Sequence, residues 1–145
     1  MFRLLVDSVQ VALAGTIASR LVGLGVPSGI GYPVGGPQEE HVWVAADFDV
    51  ALPRRTSGGF NRDEDGTVKV RILVTKTTDD PLDPLARALL LEAAIEDAVG
   101  ADPTLGGLVL EAKVASVQGE EAIAEDRRRQ YGITVTVAYA AAVSA

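Results

Sequence analysis

The sequence predicts an α+β domain with a mainly antiparallel four-stranded sheet, two principal helices packed on one face, and the element order α-β-β-α-β-β. Three observations lead to this prediction. Two segments carry apolar residues at helical spacing, four segments alternate apolar and polar residues, and each helical segment precedes two alternating ones. One-sided helices next to one-sided strands bury their apolar sides when a helical layer stacks on a sheet.

Length and composition limit both the architecture and the function. The 145 residues are predicted to form a single domain spanning residues 1–145. Hydrophobic residues make up 48% of the chain, which argues against general disorder, and the absence of cysteine excludes disulfides and thiolate chemistry. The formal charge of −7 argues against a dedicated nucleic-acid clamp. Neither a signal-peptide pattern nor a membrane-length apolar run is found, so a cytosolic product without a membrane contact is expected.

The first helix is predicted from Phe2 to about Gly23. Its main apolar stripe faces the core. A second, weaker apolar side is compatible with a core helix and with a helix that contacts another subunit; its members are Val11, Ala14, Ala18 and Val22. Residues 23–38, rich in glycine and proline, are predicted to be a linker. They contain no lysine, which argues against a phosphate-binding loop.

Two alternating segments, His41–Leu52 and Thr67–Thr77, are predicted to form a hairpin around a long polar excursion at residues 53–66. Trp43 lies on the more polar face of the first strand, where it is either covered by a loop or part of a contact surface. The excursion is predicted to reach a neighbouring subunit or to be disordered. Its candidate contact residues are Arg54, Arg55, Asn61, Arg62, Asp63 and Glu64.

The second half begins with a helix in which Asp83 is the predicted cap and Pro84 the first residue. Gly100 is predicted to end this helix, and a turn at residues 102–107 leads to a strand from Leu108. A connector over residues 119–130 separates it from the last strand and is predicted to be either a short solvated helix or a projecting loop. Its charges of both signs indicate a self-complementary surface rather than a nucleic-acid site. The candidate contact residues here are Glu120, Glu121, Arg127, Arg128 and Arg129.

The sequence contains few residues that indicate a catalytic site. His41 is the only histidine, and no catalytic or cofactor-binding residue is predicted. The series Asn61-x-Asp63-x-Asp65-Gly66 copies half of an EF-hand loop, but the position of the bidentate glutamate is Ile72, inside a predicted strand. An Asp65-Gly66 turn explains the same residues, so no metal site is predicted and the protein is expected not to be an enzyme.

The order of elements and one short motif resemble the tail terminator (tail completion) proteins of long-tailed bacteriophages, prophages and gene-transfer particles. The motif runs from Ala94-Ile95 through Asp102-Pro103-Thr104-Leu105-Gly106-Gly107-Leu108-Val109, and a strand with Tyr131 follows about twenty residues later. By order of elements the resemblance covers nearly the whole chain. It is strong over roughly residues 85–139.

The resemblance implies a structural virion protein without a cofactor. Such a protein forms a ring, typically of six subunits, that caps the head-proximal end of the tail tube and stops tube polymerisation. The implied partners are other copies of the chain, the major tail tube protein and the head connector, while DNA passes through the bore without specific binding. The implied location is the virion, with the host cytoplasm during assembly. The alternatives are a head-closure or neck connector protein and, in a different class, a small ligand-binding or catalytic α+β domain.

Overall fold

The computed structural model of the protein describes residues 3–52, 61–124 and 126–144. These residues form two helices, one short 3-10 turn and five strands that make one sheet. In chain order the elements are α1 (Val6–Leu21), the 3-10 turn (Val22–Leu24), β1 (Ser28–Ile30), β2 (Glu40–Ala51), β3 (Asn61–Lys76), α2 (Leu82–Ala101), β4 (Glu111–Ile123) and β5 (Arg129–Ser144).

The α+β class and the helical layer are confirmed, but the predicted four-stranded antiparallel sheet is wrong. The sheet is five-stranded and mixed, in the order β1-β2-β3-β5-β4, because Ser28–Ile30 pairs parallel to Val42–Val44. This strand lies inside the segment that was predicted to be a simple linker. A three-residue strand is too short to show an alternating pattern, so nothing in the sequence marks it.

The helices cover one face of the sheet and build the core there. Alternate residues of β3 and β5 point into this core, as the sequence predicts: Val68, Val70, Ile72, Val74, Ile133, Val135, Val137 and Tyr139 are all buried. Leu13 and Ile17 of α1 and Leu91 and Ile95 of α2 pack against them. Among the described residues, no element covers the opposite face, which we call the open face.

The second half of β2 departs from the predicted alternation. The pairing with β3 jumps from Val44 opposite Val70 to Phe48 opposite Val68, which is a bulge with extra residues on β2. Ala45 is therefore buried, while Ala46 and Phe48, which the strict alternation of Val42 and Val44 would place on the buried face, are exposed.

Both hairpins have longer strands than predicted. β3 begins at Asn61, so the polar series of residues 61–66 is regular strand, and the predicted Asp65-Gly66 turn is wrong. β4 continues to Ile123 and β5 begins at Arg129, so most of the predicted connector is paired strand. Hydrophobicity could not show the length of β4, because an edge strand whose second half is exposed on both sides carries no apolar stripe.

The ends of α2 are set by local hydrogen bonds. The Oδ1 atom of Asp80 accepts the N–H of Leu82 at 2.9 Å, so Asp80, rather than the predicted Asp83, supports the helix start. Asp83 instead pairs with Lys76 at 3.2 Å. The helix also runs through Gly100, the predicted terminator, to Ala101.

The turn after α2 is a compact, self-bonded unit. Asp102 Oδ1 accepts the N–H of Gly106 and Thr104 Oγ1 accepts that of Gly107, both at 3.1 Å. Leu105 is buried although its φ of 48° lies in the left-handed region that favours glycine. Five of the six residues of the Asp-Pro-Thr-Leu-Gly-Gly motif therefore shape the turn itself. The sixth, Pro103, bonds the turn to β4, because its carbonyl accepts the N–H of Ala112 at 2.6 Å.

Candidate assembly interface

Trp43 lies on the open face of β2 as part of an aromatic cluster. Its ring meets the ring of Tyr32 edge to face at 5.6 Å and that of His41 at 5.9 Å. Tyr32, which comes from the stretch after β1, is 68% exposed, whereas Trp43 is half-buried. Trp43 is therefore both packed against neighbours and accessible from the open face.

The candidate residues of the first hairpin separate into three groups. Arg54 and Arg55 lie outside the described residues. Asn61 and Arg62 are placed by their backbone in β3, opposite Ser144 and Val143. Asp63 is half-buried in the same strand.

Glu64, in contrast, points into the core and is fully buried. Its Oε2 atom accepts the Tyr139 hydroxyl at 2.7 Å, and its two oxygens accept the backbone N–H of Leu5 at 3.1 and 3.2 Å. Leu5 is the N-cap residue directly before α1, so this carboxylate sits at the positive end of the helix dipole. Burial, followed by the bond to Glu64, raises the pKa of the Tyr139 hydroxyl. Within the single chain, Glu64 anchors α1 to the sheet and is not a surface contact.

Sequence reasoning missed this anchor, although a signal for it exists. Glu64, Gly66, Val68 and Val70 share the even-numbered face of β3. Extending the alternation of Val68 and Val70 backwards would have placed Glu64 inside.

The charged residues of the second hairpin pair with one another. Arg129 contacts Glu121 at 3.3 Å, and Arg128 bonds both Asp126 and Glu39, the latter at 2.6 Å. Hydrogen bonding from the backbone N–H of Arg128 lowers the pKa of the Asp126 carboxyl. Glu120 is exposed on the open face of β4, and Arg127 is exposed at the tip with a φ of 65°.

The open face also carries several hollows, one of which, of about 640 Å³, lies between Tyr32, Trp43 and Leu73. A second of about 580 Å³ lies at the end of the sheet near Asp49, Asp65 and Glu111. Another of about 590 Å³ lies beside Trp43 and Arg71. Arg71 bonds Thr134 Oγ1 across the strands at 2.7 Å.

His41 belongs to the aromatic cluster rather than to a cavity lined by acids. Its Nδ1 atom accepts the backbone N–H of Gln38 at 3.2 Å, and burial lowers its pKa. Within the described part of the chain, no group of three or more metal-ligating side chains converges. None of the helices described there is long and apolar enough to cross a membrane.

Exposed apolar side chains lie at the two edges of the sheet, on the outer side of the helices, and at Phe48, Leu52 and Leu110. Along the edge formed by β1 and the following residues, which we call the β1 edge, these are Ile30, Tyr32 and Val34. Along the opposite edge, the β4 edge, they are Val117 and Ile123. The outer side of the helices exposes Val11, Val22, Leu82, Leu89 and Leu90.

Comparison with solved structures shows the same fold in a chain of "Virion of native gene transfer agent (GTA) particle". The alignment has a TM-score of 0.55 and 17% sequence identity and covers 94% of each chain. No protein-family model matches the chain, and a search of curated proteins also finds no match. The fold therefore defines an α+β domain with a helical layer on one face of a mixed sheet, an architecture shared over nearly its whole length with a chain of that particle.

Proposed function

We propose that this protein is a virion structural protein that acts as a tail terminator, closing the head-proximal end of a tail tube as a ring. The observation that carries the proposal is the shared fold, which extends over 94% of this chain and of a chain from a gene-transfer particle. The turn that links α2 to β4 adds support, because the residues that resemble the tail terminator family form one hydrogen-bonded unit. In this role the protein works by contact and needs no catalytic residue.

The surface is consistent with assembly. Val34 is fully exposed and Val22 is 77% exposed. Contact with water does not stabilise an apolar side chain, and clusters of exposed apolar residues mark contact sites. A heterologous contact between two different patches closes into a ring when the rotation per subunit allows it. The ring would stop the tube from growing if one face of the ring binds the end of the tube and the opposite face lacks the surface to which the next tube subunit binds.

The partners proposed for the ring are further copies of this chain, the major tail tube protein and the head connector. Six subunits are proposed for the ring. Among the proposed contact residues, Trp43 and Glu120 are accessible on the open face and Arg127 at the hairpin tip, while Glu121, Arg128 and Arg129 are accessible but already form ion pairs within the chain.

Tube polymerisation with and without this protein tests the proposal. Purified tube protein should form tubes whose length falls as this protein is added, and electron microscopy should show a ring at one end. A matched control replaces this protein by the Leu105→Asp variant, which places a charge at a buried turn position. Tubes that grow to the same length in the presence of folded wild-type protein would refute the tail terminator role. Co-purification with the portal and adaptor proteins instead of the tube protein would identify a neck protein.

A further inference from the structure

We infer that the β4 edge of one copy binds the β1 edge of a second copy, so that the sheets of neighbouring subunits continue into one another. The inference specifies the contact within the ring and therefore rests on the proposed function.

The first step is that β4 is a long edge without a cover. It spans Glu111–Ile123, and β5 is its partner in the sheet. The turn before it bonds only its start, where Ala112 donates to Pro103. From Lys113 to Ile123, no described backbone group outside β5 bonds the strand. Such an edge presents unpaired N–H and C=O groups and is a template for a further strand.

The second step is that the opposite edge has matching chemistry. Residues 21–38 contain no charged side chain and no histidine, and they expose Ile30, Tyr32 and Val34. Exposed edges are commonly protected by charges, especially lysine, and this one is not. An uncharged apolar edge at one end of the sheet fits the uncharged middle of β4, residues 114–119, where Val117 is exposed. The charges of β4 lie toward its two ends, at Glu111, Lys113, Glu120 and Glu121.

The third step is strand direction. β1 runs parallel to β2, and the three further pairs in the sheet are antiparallel, so β4 runs opposite to β1. Neighbours in a ring have the same orientation along the ring axis when the strands lie along it. The β4 edge of one copy would then meet the β1 edge of the next in antiparallel orientation, the arrangement with the stronger ladder.

The fourth step is register. One row of paired residues crosses the whole sheet on its helix side, and it consists of Ile30, Val44, Val70, Val135 and Val117. Its two ends are 49% and 42% exposed, while the three residues between them are buried. A second copy placed at the same height would put Ile30 next to Val117 and extend the buried row without interruption.

Disulfide trapping tests this contact directly, because the chain contains no cysteine. The double variant Ile30→Cys/Val117→Cys carries one thiol at each edge, separated by four strand spacings or about 19 Å. A disulfide requires Cα atoms within about 7 Å, so each bond formed must join two copies. Oxidation should give a ladder of dimers, trimers and higher species that ends at the ring. The matched control Ile30→Cys/Val11→Cys places one thiol on the outer side of α1, and it should give at least tenfold less disulfide-linked oligomer.

The two proposals fail in different ways in this experiment. Rings on tube ends without disulfides between positions 30 and 117, or an equal ladder in the control, would overturn the edge contact and leave the tail terminator role intact. A strong ladder from a protein that never limits tube length would keep the edge contact and refute the role.

Discussion

Glu64 shows how one buried carboxylate can fix the position of a helix. Its oxygens accept hydrogen bonds from the Tyr139 hydroxyl and from the backbone N–H of Leu5, and these bonds stabilise the carboxylate inside the core. When a buried acceptor loses its donor, the free-energy cost of removing that acceptor from water is no longer offset by a hydrogen bond. The start of α1 therefore depends on a residue 59 positions away in the sequence.

The Tyr139→Phe variant tests this anchor. We expect it to reduce the free energy of unfolding by about 1–3 kcal/mol, because the Glu64 oxygen loses the hydroxyl donor inside the core. Urea denaturation followed by circular dichroism measures the loss. The Tyr131→Phe variant is the control, since no described group bonds the Tyr131 hydroxyl, and it should change stability by less than about 0.5 kcal/mol. Equal effects of the two substitutions would contradict the role of Glu64.

Glu92 is a second buried carboxyl, and it has the opposite character. It lies on the inner side of α2, and within the described structure its Oε1 atom has no hydrogen-bond partner. Burial, together with the hydrogen bond and charge of Glu96, raises the pKa of Glu92 to about 7. The folded protein therefore holds a proton here at a pH where the unfolded chain has released it.

This shift predicts a pH-dependent cost. Below the unfolded pKa of 4.5 both states are protonated and Glu92 costs nothing; the cost grows as the pH rises and is complete above about 7. The Glu92→Gln variant should be more stable than the wild type by up to about 3 kcal/mol at pH 8, and the difference should vanish near pH 4.5. Thermal unfolding across this range measures it. Asp97→Asn, an exposed change on the same helix, is the control, and a Glu92→Gln gain that did not vary with pH would disprove the assignment.

At the scale of elements, the strands rely on aromatic rings packed over glycine. Gly66 pairs with Tyr139, and a Cβ atom built on Gly66 would lie 2.3 Å from the ring. Gly119 pairs with Ile133, and the ring of Tyr131 reaches it diagonally, with the hydroxyl 2.7 Å from a Cβ atom built on Gly119. Each glycine leaves room for a tyrosine to lie flat along its neighbour strand.

Gly66→Ala should therefore destabilise the β3–β5 pair by about 1–3 kcal/mol, because the ring must leave its position or the strands must separate. Gly29→Ala is the control in β1, where a Cβ atom meets nothing within 4 Å. Denaturant unfolding of both variants measures the difference. If Gly66→Ala were as mild as Gly29→Ala, the ring would not be a fixed part of the core.

At the scale of the whole molecule, the two faces and two edges have different characters. In the part of the chain that the structure describes, the helices cover the core and the open face is mainly polar. Both edges expose apolar side chains, and β4 also leaves its outer backbone groups without a partner there. Two unlike edges permit a head-to-tail contact, in which every copy uses one edge as donor surface and the other as acceptor surface.

This asymmetry predicts the behaviour of mixed variants. Val34→Asp blocks the β1 edge and Ile123→Asp blocks the β4 edge; both sites are exposed, so the fold should persist. Neither variant should form rings, alone or on tube ends. An equimolar mixture retains one working pair of edges and should form heterodimers that stop there, as measured by multi-angle light scattering at high concentration or by cross-linking. Rings formed by either variant alone would show that other surfaces join the copies.

The sequence by itself determined the α+β class, the inward faces of β3 and β5, and the turn after α2. These follow from local causes: the period of the apolar residues, and the φ values and side-chain bonds that a short motif imposes. Only the tertiary structure decided that Ser28–Ile30 is a strand, that Glu64 bonds Tyr139 and the backbone of Leu5, and that β4 and β1 are the edges. Each of these depends on which distant segment lies beside the residue, because pairing, burial and edge position are properties of neighbours in space and not of neighbours in the chain.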